Sequence, residues 1–189
     1  KDIVSGDFYW ALETQNFTYI AVGDCTGHGV PGAFMSMIGI SLLSEIVLAQ
    51  PGITPKEILA ELHERISIAL HQQQTENRDG MDISICQFSK EGTDTKVLFA
   101  GAKTTLYVVN PESQEMQLVK GDRKSLGGAL RVQVSKYQFT NHELLLPEQT
   151  MLYMTTDGLA DQGNPEGRKL GSVALQQYLA EHSTKPLVK

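Results

Sequence analysis

Apolar and polar positions alternate along two opening runs, Gly6 to Glu13 and Phe17 to Gly23, and that period of two predicts a pair of strands. Only the polar turn Thr14-Gln15-Asn16 separates them, so the pair is expected to be an antiparallel hairpin. The period then changes. Beyond the glycine-rich turn Cys25 to Gly29, the apolar set Phe34, Met37, Ile38, Leu42 and Ile46 follows helical spacing and predicts a helix from about Pro31 to Ala49, stopped by Pro51-Gly52. Thr54-Pro55-Lys56-Glu57 has the form of a capping box with Thr54 as N-cap. The helix it opens carries Ile58, Leu59, Leu62, Ile66, Ala69 and Leu70 on one face and is expected to end near Gln74. Two helices joined so closely should pack antiparallel.

After a polar loop, Thr75 to Gly80, the pattern returns to strands: Met81 to Phe88, Lys96 to Ala100, Thr105 to Val109, Met116 to Lys120, Val134 to Phe139 and Met151 to Thr155. A last helix is expected from about Ser172 to Glu181. Short connections such as Asn110-Pro111-Glu112-Ser113 favour antiparallel meanders over βαβ crossovers. The class is therefore α+β, with stacked sheets and the helix pair on one face.

Composition narrows the picture. A chain of 189 residues with 41% hydrophobic content suits a single domain spanning 1–189 with a real core, and excludes wholesale disorder. No apolar run is expected to reach the roughly 20 residues of a bilayer span, and no basic-then-apolar opening suggests a secretory signal. The start at Lys1 rather than Met leads us to expect an excised domain. Sixteen Lys+Arg against 22 Asp+Glu leave a net charge of -6 without a basic cluster, which argues against nucleic acid as a partner. Cys25 and Cys86 cannot form a disulfide framework, so a reduced, cytoplasmic setting is expected.

Candidate chemistry lies where apolar strands meet acids beside glycine: Ser5-Gly6-Asp7, Val22-Gly23-Asp24 and Thr156-Asp157-Gly158, the last followed by Leu159-Ala160-Asp161. Any one of these is ordinary turn chemistry. Together they suggest carboxylates gathered at one sheet edge, where they repel one another and call for a counter-charge. No Lys or Arg accompanies any of the three segments. Oxygen donors without histidine or thiolate partners suit magnesium or manganese rather than zinc.

Other motifs carry less. Gly27-His28-Gly29-Val30-Pro31-Gly32 matches the dinucleotide fingerprint G-x-G-x-x-G, but a second helix follows where a parallel strand is required. No Gly-Lys-Ser/Thr supports a P-loop. His63-Glu64 lacks the second histidine of a zincin, since Ser67 stands there. His28 could donate a proton to a leaving group, or cap the helix start or face water. Cys25 has no evident base to make it a nucleophile. Asp79 and Asp82 have a solvated turn as their default reading.

Gly6-Asp7-Phe8-Tyr9-Trp10, then Gly23-Asp24-Cys25-Thr26-Gly27-His28-Gly29-Val30-Pro31-Gly32-Ala33, then Thr156-Asp157-Gly158-Leu159-Ala160-Asp161 resemble the SpoIIE-like bacterial branch of the metal-dependent (PPM) serine/threonine protein phosphatases. Met81-Asp82-Ile83-Ser84, Ala100-Gly101-Ala102 and Ser125-Leu126-Gly127-Gly128 fit its inner strands and turns. The resemblance implies an α-β-β-α sandwich of two antiparallel sheets flanked by helices. It implies two ions, Mn2+ or Mg2+, bridged by Asp24 and bound by the main-chain carbonyl of Cys25 and by Asp157, with Asp7 acting through water and Asp161 at an outer ion. Asp24 and Asp157 would then carry catalysis, as water activated by the metals attacks a phosphoserine or phosphothreonine.

The implied partners are a phosphorylated signalling protein, such as the antagonist of an anti-sigma factor, and an N-terminal sensor or regulatory domain in the full-length protein. A homodimer is compatible with the resemblance, and so is membrane anchoring of the full-length protein, with no membrane contact by this domain. Two features depart from the family. The chain stops at Lys189, before the strands that usually carry another metal-binding Asp, and neither Glu166 nor Glu181 has the setting to replace it. Ala100-Gly101-Ala102-Lys103 also lacks the acid that many eukaryotic relatives place there, and the residue gripping phosphate has only Lys1 as a candidate. A phosphatase-fold interaction module with little activity is the alternative reading.

Overall fold

A computed structural model describes residues 5–110, 113, 115–128, 138–163 and 167–183. Alternation in the opening residues produces the hairpin of β1 (Asp7–Glu13) and β2 (Thr18–Cys25). Two helices follow, α1 (Gly29–Ala49) and α2 (Pro55–Ala69). The strands β3 (Gly80–Glu91), β4 (Asp94–Ala102), β5 (Thr105–Val109), β6 (Met116–Lys120), β7 (Leu126–Gly127), β8 (His142–Leu146) and β9 (Met151–Met154) come next, then the short helix α3 (Asp157–Ala160) and α4 (Gly171–His182).

Strands β1-β2-β3-β4-β8 form one sheet in that order, with β7 paired to β3, and β6-β5-β9 form a second. All of these pairings are antiparallel. Three apolar clusters separate four layers. Leu43, Ile46, Ile58 and Leu62 of α1 and α2 meet Ile83 and Ile85 on one face of the first sheet. Cys86, Val97 and Phe99 on its other face meet Leu106 and Val108 of the second. Tyr107, on the far face of that second sheet, packs under Leu175 and Leu179 of α4. The result is the expected α-β-β-α sandwich. Each fully buried Ile or Leu contributes about 1.5–3 kcal/mol, which is why periodicity dictates the layering.

Local chemistry sets the helix ends. Glu57 accepts the Thr54 N–H at 2.9 Å, the return contact of the capping box, with Pro55 in the first turn. Helix α2 stops before Gln74 because His71 takes a left-handed φ of 50°. Helix α1 begins two residues ahead of Pro31, at Gly29, which leads into the first turn with a left-handed φ of 61°. At 21 residues, with only Ser36, Ser41, Ser44 and Glu45 as polar side chains, α1 is long and apolar enough to cross a bilayer, which corrects the expectation about apolar runs. Its Leu43, Ile46 and Val47 are fully buried against the sheet.

The expected strand Val134 to Phe139 lies outside the described residues, apart from Gln138 and Phe139, which belong to no strand. Strands β7 and β8 and helix α3 were not anticipated; two to five residues are too few to show a period.

Candidate active site

Side-chain alternation along three neighbouring strands decides which acids meet. Phe8, Trp10 and Leu12 of β1 face the helices, as do Tyr19, Ala21 and Cys25 of β2 and Met81, Ile83 and Ile85 of β3. Asp7, Asp24 and Asp82 therefore project from the opposite face. Register aligns them, Asp7 opposite Asp24 and Asp24 opposite Asp82. The three carboxyls form a row across one end of the sheet. Among the described residues the second sheet has three strands and leaves the outer part of this face uncovered, and Tyr9 of β1 is 83% exposed. The row consequently lies in an open cleft.

A fourth acid arrives from β9. The strand ends at Met154, and Asp157 opens α3 in the same cleft wall as Asp24, near enough for its charge to raise the Asp24 carboxyl. Gly158 beside it lies against Asp7: a Cβ there would stand 3.3 Å from Asp7 Oδ2. All three acidic segments predicted from the sequence thus converge. A cleft of about 200 Å³ has Asp24, Asp82, Asp157 and the hydroxyl-bearing Thr155 and Thr156 in its walls, with Asp7 just outside its lining.

Electrostatics follow from this crowding. The Asp24 carboxyl is pushed up to about 6, by burial first and then by the charges of Asp7 and Asp157, the hydrogen bond to Asp157 and the charge of Asp82. Among the described residues, no three His, Cys, Asp or Glu side chains are drawn up closely enough to enclose one ion as they stand.

The expectation that no basic residue accompanies the acids is corrected for the assembled cluster. Lys103 Nζ lies 2.8 Å from Asp82 Oδ2, and Ser125 Oγ donates to Asp82 Oδ1. The Lys103 ammonium is held above its usual range by the Asp82 hydrogen bond and charge, then by Asp157 and Asp24. Asp82 is therefore part of the site rather than a solvated turn residue. Its signal in the sequence was its place one residue into the Met81 strand; what the sequence does not print is the pairing of that strand with β2.

The turn after Asp24 is shaped by backbone. Gly27 and Gly29 adopt φ of 96° and 61°, values a side chain resists. Gly32 of α1 seats against it, since a Cβ there would come 2.7 Å from the Gly27 carbonyl oxygen. At Gly6 a Cβ would fall 2.6 Å from the Cys25 carbonyl oxygen and 3.0 Å from that of Gly27, so the bare glycine keeps room around both oxygens. The Cys25 thiol is buried and pushed up to about 11, chiefly by desolvation, which removes it as a nucleophile.

Asp161 stands apart from the row, at the end of α3, in an ion pair with Lys169 Nζ at 2.6 Å. His28 is exposed at the start of α1 and makes no side-chain capping bond. Lys1 and Glu166 lie outside the described residues. Where a dinucleotide fold needs a parallel strand after the glycine turn, α2 follows α1 instead, which disposes of that fingerprint.

The family model described as Stage II sporulation protein E (SpoIIE) matches residues 14–189. Among solved structures, the SiaA-PP2C domain of Pseudomonas aeruginosa is 32% identical, with 98% of this chain and 70% of that chain covered at a TM-score of 0.82. The RsbU and RsbW domains of a Mycobacterium tuberculosis protein match at 20% identity, 97% and 47% coverage and a TM-score of 0.71. The phosphatase domain of SpoIIE from Bacillus subtilis matches at 18% identity, 94% and 70% coverage and 0.55. These last two are likenesses of fold. No curated protein is matched.

Proposed function

Since the chain belongs to the SpoIIE family, within the PPM class of phosphatases, we propose that it hydrolyses phosphoserine and phosphothreonine on a signalling protein with the aid of divalent cations. The observation that carries this reading is the aligned row Asp7, Asp24 and Asp82, with Asp157 in the same cleft wall as Asp24 and Asp82. Four carboxyls beside one ammonium leave an excess of negative charge, which, after burial, holds the Asp24 carboxyl up at about 6. Hard oxygen donors of this kind fit Mn2+ or Mg2+.

Asp24 and Asp157 would hold the ions directly, with the Cys25 carbonyl at one of them and Asp7 acting through water. When bound, such cations polarise a phosphate and make water acidic enough to attack it. Asp24 has to give up its proton for this. The hydroxyls of Thr155 and Thr156 line the cleft where the phosphorylated side chain would enter. With the Cys25 thiol buried and protonated, a covalent phosphoenzyme through it is not part of the scheme.

We place Asp161 outside the first set of ligands, because Lys169 already neutralises it. An anti-sigma-factor antagonist is the partner class we favour, with a cytoplasmic site of action and a regulatory domain elsewhere in the protein. The test is direct. Phosphate release from a phosphoserine protein should require manganese and disappear in Asp24→Asn; release that survives the substitution removes the proposal.

A further inference from the structure

Lys103 occupies a turn built with unusual care. The chain crosses from the first sheet to the second between β4 and β5 in two residues, Lys103 and Thr104. Gly101 packs backbone to backbone on Gly121, where a Cβ would come 2.4 Å from the Gly101 carbonyl oxygen. The Lys103 N–H donates to the Asp122 carbonyl at 2.7 Å, Asp122 N–H to Gly101 at 2.8 Å and Gly121 N–H to Thr104 at 2.9 Å. Ser84 Oγ donates to Thr104 Oγ1 at 2.8 Å. Together these contacts keep Lys103 at a φ of 58°, a left-handed conformation that a long side chain adopts only at a cost in strain.

The strained turn aims the side chain over the acids. Both oxygens of Asp82 are engaged, one by Lys103 and one by Ser125, so Asp82 serves as an anchor for the ammonium. An ammonium has three N–H donors and Asp82 takes one. The Lys103 side chain is 61% exposed at the cleft, and among the described residues in the cleft wall it is the single cation. A phosphate dianion entering a cleft walled by carboxyls gains from any cation there, and a lysine is an ordinary phosphate binder.

We propose that Lys103 receives the phosphate group of the phosphorylated substrate, and that Asp82 and Ser125 position its ammonium for that contact. This assignment rests on the hydrolytic reading of the cleft and adds the substrate-gripping residue to it. The rival account makes Lys103 a counter-ion for the acids with no part in phosphate binding.

The experiment titrates inorganic phosphate by calorimetry into the magnesium-loaded chain and into magnesium-loaded Lys103→Gln and Lys103→Arg, with thermal unfolding to confirm that each variant is folded. Lys103→Gln should weaken phosphate binding about tenfold or more, and Lys103→Arg should restore most of it. With a phosphoserine peptide the KM should rise in Lys103→Gln in parallel with the phosphate constant, while kcat changes less. Phosphate affinity equal in the parent and Lys103→Gln, or no phosphate binding by the parent, overturns the assignment. So does tighter magnesium binding in Lys103→Gln with phosphate affinity unchanged, the signature of a mere counter-ion. Lys103-dependent phosphate binding without peptide turnover in the parent would sustain the assignment and defeat the hydrolytic reading instead.

Discussion

Asp24 faces Asp82 directly across the β2–β3 pair, on the sheet surface turned away from α1 and α2. Opposed like charges destabilise a strand pair. The Asp24 carboxyl is raised to about 6, above the value near 3.9 expected of an unfolded chain. Between about pH 4 and pH 6 the folded protein therefore binds more protons than the unfolded one, and stability falls as pH rises through that window. Asp24→Asn abolishes the penalty. In metal-free protein near pH 7.5 it should raise the unfolding midpoint by a few degrees, about 1 kcal/mol after allowance for solvent screening, and bring no gain below about pH 4. A midpoint that fails to rise near neutral pH removes this electrostatic account.

The same proton bears on metal uptake. A cation that binds Asp24 must displace it, so affinity should fall steeply below about pH 6 and binding should release protons there. Manganese titrations near pH 6 and pH 8, each in two buffers of different ionisation enthalpy, measure the count. More protons should leave at the lower pH; equal counts would mean that Asp24 is not the group displaced.

Gly32 supplies a structural test. A Cβ there would stand 2.7 Å from the Gly27 carbonyl oxygen and 3.2 Å from the Gly6 nitrogen, both of them backbone and unable to swing aside. Gly32→Ala should push the start of α1 off the Cys25–Gly29 turn, cost about 1–3 kcal/mol by denaturant unfolding and weaken manganese binding. Gly92→Ala makes a useful control for the effect of an added methyl on a glycine, because nothing lies within 4 Å of its Cβ position, though its φ of 63° carries strain of its own. Manganese affinity unaltered in folded Gly32→Ala would separate the turn from the metal.

How far the sequence foretold this arrangement depends on the range over which each signal acts. The hairpin, the capping box at Thr54 and strands β5 and β6 were legible because period and caps are local. The nearness of Asp7 and Asp24 was legible in the hairpin but not their register. Four residues, Thr14 to Phe17, separate the paired Glu13 and Thr18, whereas the three-residue turn expected from the sequence would set Asp7 opposite Gly23. Asp82 and Lys103 were not legible. Their places depend on β3 joining β2 after two intervening helices, and on a crossover that carries Lys103 from one sheet to the next; neither leaves a periodic trace. The pairing of Asp161 with Lys169 escaped for a related reason, because the loop between them has no regular spacing to read.

The last prediction concerns α1 as a lever on the site. Ser36 Oγ lies 2.9 Å from the Gly6 carbonyl oxygen and 3.0 Å from that of Gly32, so it ties the helix to the residue preceding Asp7. Helix α1 also carries Gly32 against the Gly27 turn and packs on α2, which makes the pair a rigid extension of the strand ends that hold Asp7 and Asp24. Metal that tightens those strand ends should therefore slow amide exchange in both helices. Ser36→Ala leaves the buried Gly6 carbonyl without this donor, at a cost of about 1 kcal/mol, and should reduce the metal-induced protection of α1 more than that of the inner strand β3. Hydrogen-exchange mass spectrometry with and without manganese reads both effects. Protection of α1 and α2 that stays the same when manganese is demonstrably bound would show that the helices are bystanders, and the Ser36 tie would then be packing alone.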